Sequence, residues 1–152
     1  MKKKGVVIVT CIFLGLGLLF VLCIPKKTQN VDKSTIFQCF KDNRDTFVFI
    51  RDYAAKSEGY LNVPSQGDMV NWTEEGAMPI TEEDVLSHIE YLQTTLSFHA
   101  IYEGQPDIYF VGYDDRYYTR GIAYIPDGDM PLSFLESELL SDNWYYYESG
   151  KV

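Results

Sequence analysis

An N-terminal transmembrane helix followed by a small α+β domain, with a roughly four-stranded antiparallel sheet covered on one face by helices, is the fold class the chain predicts. Three observations predict it. An uncharged run from Gly5 to Ile24 lies between lysines, helical apolar spacing recurs between residues 34 and 96, and the pattern turns to period two and tyrosine-rich after Ser97.

The apolar run comes first in the chain. Residues 6–24 contain fourteen Val, Ile, Leu or Phe, each contributing about −0.3 to −0.6 kcal/mol to insertion near a helix centre. Twenty helical residues rise roughly 30 Å, the thickness of the hydrocarbon core. A signal peptide has a shorter core of about 7–15 residues and a small-x-small cleavage site. Here no alanine precedes Ala54. A lipoprotein site would need a small residue before the modified cysteine, and Leu22 stands before Cys23. The expected layout is a basic cytoplasmic tail at 1–4, an uncleaved anchor in the lipid bilayer at 5–24, a linker at 25–33 and an acidic extracytoplasmic domain at 34–152. Cleavage, or lipidation at Cys23, is the alternative. The orientation rests on the short tail carrying Lys2, Lys3 and Lys4, since long domains translocate largely regardless of charge. Cys11 and Gly15 have a spacing that could seat a helix pair, although it often arises by chance.

Charge divides the chain. Residues 1–33 carry six lysines and one Asp, whereas residues 34–152 carry seven basic and twenty-one acidic residues, a net charge of −14. Such a surplus argues against nucleic acid as a partner, because binding there depends on neutralising phosphates. It also disfavours lying flat on anionic lipid. Surplus carboxylates keep an exposed domain soluble, and they could also face a basic partner or Ca²⁺. Cys39 is the sole cysteine after the apolar run. Without a partner for an internal disulfide, stability has to come from packing.

Within the domain, Ile36, Phe37, Phe40, Phe47, Val48, Ile50, Tyr53 and Ala54 recur at helical spacing, with Ser34 as cap and Gly59 as stop. Asn43 and Arg44 interrupt that stripe. Pro64, Gly67, Gly76 and Pro79 make residues 60–80 read as loop, with at most one short strand. A second helix starts at Thr81, where Thr81 and Asp84 approximate a capping box, and Val85, Leu86, Ile89, Leu92 and Leu96 form its apolar face. Strands are expected at Phe98–Tyr102, Ile108–Tyr113 and Tyr117–Ile125 as a meander, then a short helix over Leu132–Leu140 and a last strand at Trp144–Tyr147.

Chemistry-bearing motifs are sparse. Asp127, Gly128 and Asp129 begin like a Ca²⁺ loop, but Pro131, Leu132 and Leu135 stand where an EF-hand needs a ligand, a glycine and a ligand. An Asp-Gly turn accounts for the same residues. His88 and His99 have no zinc-ligand spacing. Glu74 with Glu75, Asp114 with Asp115, and Glu103 near Asp107 could form acid/base pairs only if they faced each other across about 5–10 Å. Asn71-Trp72-Thr73 fits a glycosylation sequon, relevant only in a eukaryotic secretory pathway. Neither a cofactor nor a metal is implied, and no residue is assigned a catalytic role.

The tyrosines are the most suggestive feature. Tyr109, Tyr113, Tyr117, Tyr118, Tyr124, Tyr145 and Tyr147 fall on expected strands as a candidate aromatic platform for a peptide, a glycan or an envelope protein. Tyrosine also simply suits half-buried strands. The functional expectation is a non-catalytic binding or accessory domain of the bacterial envelope. The alternatives are a small carboxylate-dependent hydrolase and a regulatory subunit of a larger membrane complex.

Overall fold

The computed structural model describes residues 32–151. The expected tail and anchor, and all but the end of the linker, lie outside the described residues. Among those described, no helix is long and apolar enough to cross a membrane. The first helix has the length but carries charges throughout, from Lys33 to Asp52. The transmembrane, single-pass description therefore does not apply to the described domain.

That helix, α1, spans Lys33–Ala54. Asp32 caps it, not Ser34: its carboxylate accepts from the Thr35 N–H at 2.8 Å and from the Ser34 hydroxyl at 2.9 Å. The burial stripe is Ile36, Phe40, Phe47, Ile50 and Ala54. The gap between Phe40 and Phe47 coincides with a kink at Asn43, whose φ and ψ are −127° and 23°. Its amide donates to the Cys39 carbonyl at 2.9 Å, satisfying a group that the kink frees. The Tyr91 hydroxyl donates to Asn43 Oδ1 at 2.9 Å, tying the kink to the second helix.

Residues 60–80 depart from the expected loop. They form three strands, β1 (Tyr60–Val63), β2 (Val70–Thr73) and β3 (Gly76–Pro79). Each is four residues long and flanked by turn formers, so no window is long enough to display a period of two. Pro79 closes the outermost strand, where a missing N–H is harmless. Helix α2 (Glu83–Thr94) buries Val85, Ile89 and Leu92. Its Thr81–Asp84 capping box does not form; Glu82 is the N-cap and makes no side-chain cap bond.

The remaining strands are β4 (Ala100–Glu103), β5 (Ile108–Asp114), β6 (Tyr118–Tyr124), β7 (Phe134–Ser141) and β8 (Trp144–Gly150). The sheet thus has eight strands, ordered β3-β2-β1-β4-β5-β6-β8-β7, where four were expected. Every neighbouring pair is antiparallel. The expected β4–β6 meander is present. The helix expected over Leu132–Leu140 is instead β7, because Asp142 and Asn143, at φ 34° and 67°, make a two-residue hairpin loop that returns the chain along β8.

Both helices pack on one face of the sheet. Phe47, fully buried, sits at the centre, with the rings of Phe98 and Phe110 edge-on at 5.2 and 5.1 Å and Phe40 at 5.6 Å. Trp144 and Tyr146 of β8 and Ile122 of β6 complete that core. A smaller cluster of Ala123, Ile125 and Tyr147 lies on the opposite face, with Met130, Phe134, Tyr109 and Tyr145 against it.

Candidate functional site on the open sheet face

Alternation along each strand turns one residue to the helices and the next to the open face. Pairing then lines up the open-face residues across six strands. Asn62 stands opposite Tyr102, Tyr102 opposite Tyr109, Tyr109 opposite Ala123, Ala123 opposite Tyr145, and Tyr145 opposite Leu139. Next to this row, Tyr60 pairs with Trp72.

The middle of the row is roofed. Phe134 stacks on Tyr147 at 4.9 Å and meets Tyr109 edge-on at 6.2 Å, and Tyr109 meets Tyr147 edge-on at 5.9 Å. Burial raises the pKa of both phenols, so each stays protonated at neutral pH. The Tyr109 hydroxyl donates to Asp107 at 2.8 Å. On one side of this roof the surface is open and aromatic: Trp72 is 50% exposed, Tyr60 49% and Tyr102 43%. Beside Tyr102 lies a cleft of about 220 Å³ lined by Ser65, His99, Tyr109, Asp114, Thr119 and Tyr147.

Of the seven tyrosines singled out, Tyr109, Tyr145 and Tyr147 lie on this face. Tyr124 turns to the helices, 5.1 Å from Trp144 and beneath the Arg51 guanidinium at 4.9 Å. Tyr113 and Tyr118 flank Arg120, which pairs with Glu148 across β6 and β8. Tyr117 occupies the β5–β6 turn, where its N–H donates to Asp115 at 2.6 Å. A register shift between Val111 and Tyr113 separates Tyr113 from Tyr109. Trp72, Tyr60 and Tyr102 were not among the expected platform residues. Two of them sit on strands hidden in the turn-rich segment.

Most of the carboxylates considered for acid/base work have structural tasks. Asp115 also accepts from the Tyr118 N–H at 2.7 Å and the Tyr113 hydroxyl at 2.9 Å. Asp114 accepts from the Thr119 hydroxyl at 2.7 Å and pairs with Lys151. Glu103 accepts from the Leu61 N–H at 2.9 Å, and burial outweighs that bond and raises its pKa. Glu74 and Glu75 fall between β2 and β3, where the Glu75 N–H donates to the Thr73 hydroxyl at 3.2 Å. The Asp127-Gly128-Asp129 segment is a turn with Gly128 at φ +73°, and no group of three metal-ligating side chains is found among the described residues. The Asn71 amide of the sequon donates to the Tyr53 hydroxyl at 2.8 Å on the helix side.

The two histidines differ. His88 stacks on Phe49 at 4.0 Å and bridges the helices. His99 borders the open-face cleft, and burial, opposed by Asp114 and reinforced by Lys151, lowers its pKa below 6.5. The folded state therefore binds fewer protons than the unfolded chain as pH falls through 6.5. The stability that neutral His99 confers is complete above that pH and is lost below it. Urea unfolding at pH 7.5 and 5.5 should show a smaller acid loss for His99→Gln than for the wild type. An equal loss in both would remove His99 as its source.

Comparison with known proteins brings no family to this geometry: no family model, no curated protein and no solved structure matches the chain.

Proposed function

We propose that this is a non-catalytic binding domain that works outside the cytoplasm at the cell envelope, holding a glycan or extended peptide of an envelope partner on the open face of its sheet. The supporting observation is the cluster of Trp72, Tyr60 and Tyr102, three large aromatic side chains left in solvent on adjacent strands beside a cleft with polar groups. Rings of this kind offer apolar area to sugar C–H faces or peptide side chains, while Asn62, His99 and Asp114 supply donors and acceptors at the margin. The lysine-flanked apolar run at 5–24 and the charge contrast that follows it support the location.

Fluorescence offers a direct test, because of the two tryptophans Trp144 is fully buried and Trp72 is half-exposed. Titration with envelope glycan fragments and extended peptides should shift Trp72 emission. Trp72→Ala with Tyr102→Ala should weaken the binding seen by calorimetry by about a hundredfold, as removal of two aromatic anchors does. Affinity unchanged in that double variant would end the proposal.

A further inference from the structure

The two ends of the sheet are built differently. At one end β3 is four residues long and closes with Pro79. At the other, β7 runs for eight residues and is exposed from Leu135 to Leu139, with Leu135 64% and Leu139 58% in solvent. Its inner edge pairs with β8, and its outer edge has no partner strand among the described residues. Such a row of unpaired backbone donors and acceptors is a template for another strand. Register irregularities at Phe134/Glu136 and Leu139/Ser141 bound the regular stretch Glu136–Leu139.

The side chains of that stretch select what can pair there. Glu136 and Glu138 lie on the helix side, where the single ammonium of Lys33 bridges both and leaves one negative charge over. Ser137 and Leu139 face the open side, opposite Tyr147 and Tyr145. A second copy joining antiparallel about Ser137 would set Glu136 against Glu138 twice, and like charges directly opposed destabilise a strand pair. Cations in those places gain instead, in a domain whose net charge is −14.

We propose that the β7 edge accepts, by strand addition, an extended segment of a partner protein in which Lys or Arg alternates with apolar residues, the cations facing Glu136 and Glu138 and an apolar side chain facing Leu139. This edge lies at the opposite end of the sheet from Trp72, Tyr60 and Tyr102, and either site can fail without the other.

The test titrates the full-length chain with three peptides. One alternates Lys and Val, one replaces its Lys by Glu, and one groups the same Lys and Val residues into blocks. Binding is read by calorimetry and by amide hydrogen exchange along β7. The alternating Lys peptide should bind and protect the outward-pointing amides among residues 136–139, and the other two should bind at least about tenfold more weakly. Glu136→Gln with Glu138→Gln should lose about tenfold for the Lys peptide, and Leu139→Thr, which keeps strand propensity, should also weaken it. Trp72→Ala should leave it unchanged. Equal binding of the alternating and block peptides would reduce the effect to bulk charge and overturn the proposal. So would unprotected β7 amides, loss of binding in Trp72→Ala, or a self-associated β7 edge.

Discussion

Replacing Phe47 with alanine should cost the domain about 3–5 kcal/mol, the range for an aromatic ring removed from a closed core. The ring is fully buried and lies within 5.1–5.6 Å of those of Phe98, Phe110 and Phe40, with Trp144 at 6.3 Å. It joins α1 to β5, to β8 and to the segment leading into β4. These neighbours come from separate elements, so the cavity can close only if α1 and the sheet move together. Native domains hold about 5–15 kcal/mol in total, so the variant should be marginal or unfolded at 37 °C. Urea unfolding followed by circular dichroism measures the change. A loss below about 1 kcal/mol, within the ordinary range for point variants, would show that Phe47 is not the packing centre.

The second large effect is expected at Gly121. A Cβ placed there would stand 1.9 Å from the Phe110 carbonyl oxygen and 3.1 Å from Cε1 of the Tyr147 ring. The nearer obstacle is backbone, which cannot rotate aside as a side chain can. Gly121→Ala should therefore push β5 and β6 apart in the middle of the sheet, costing at least the upper part of the usual 1–3 kcal/mol for overpacking. The contrast with Gly112 is informative: there the nearest atoms a Cβ would meet belong to the Phe98 ring, from 3.2 Å, and Gly112→Ala should cost less. Thermal melts of the two variants decide it, and a Gly121→Ala domain as stable as the wild type would refute the close approach.

Parts of this architecture are readable before folding because local and tertiary preferences coincide. The two helices show because Ile36, Phe40, Phe47 and Ile50, and then Val85, Ile89 and Leu92, are both helically spaced and buried. The meander shows because β5 and β6 are each seven residues long. The first three strands do not show, since four residues between glycines and prolines cannot establish a period. The β7 strand misleads for another reason. Its leucines look like a helical stripe, yet Leu135 and Leu139 are in solvent and only Leu140 joins the main core. The Asp142-Asn143 pair was the available signal, a two-residue loop whose residues tolerate positive φ. For the site, alternation along the strands puts tyrosines on both faces. It could not place Tyr113, because the shift after Val111 changes the phase of the strand. Nor could it select Trp72 and Tyr60 while their strands read as loop.

The bend at Asn43 makes α1 two short rods about a pivot rather than one lever. Tension applied at Asp32 would act first on the leading rod, whose hold on the sheet includes the Lys33 contacts and Phe37 against Tyr146 at 5.9 Å. The trailing rod, pinned at the pivot by Tyr91 and beyond it by Phe47, would stay seated while the leading one peeled. Peeling the leading rod would draw Ile36 and Phe40 out of the core, so strain arriving through the amino-terminal end meets the aromatic interior within the first turns.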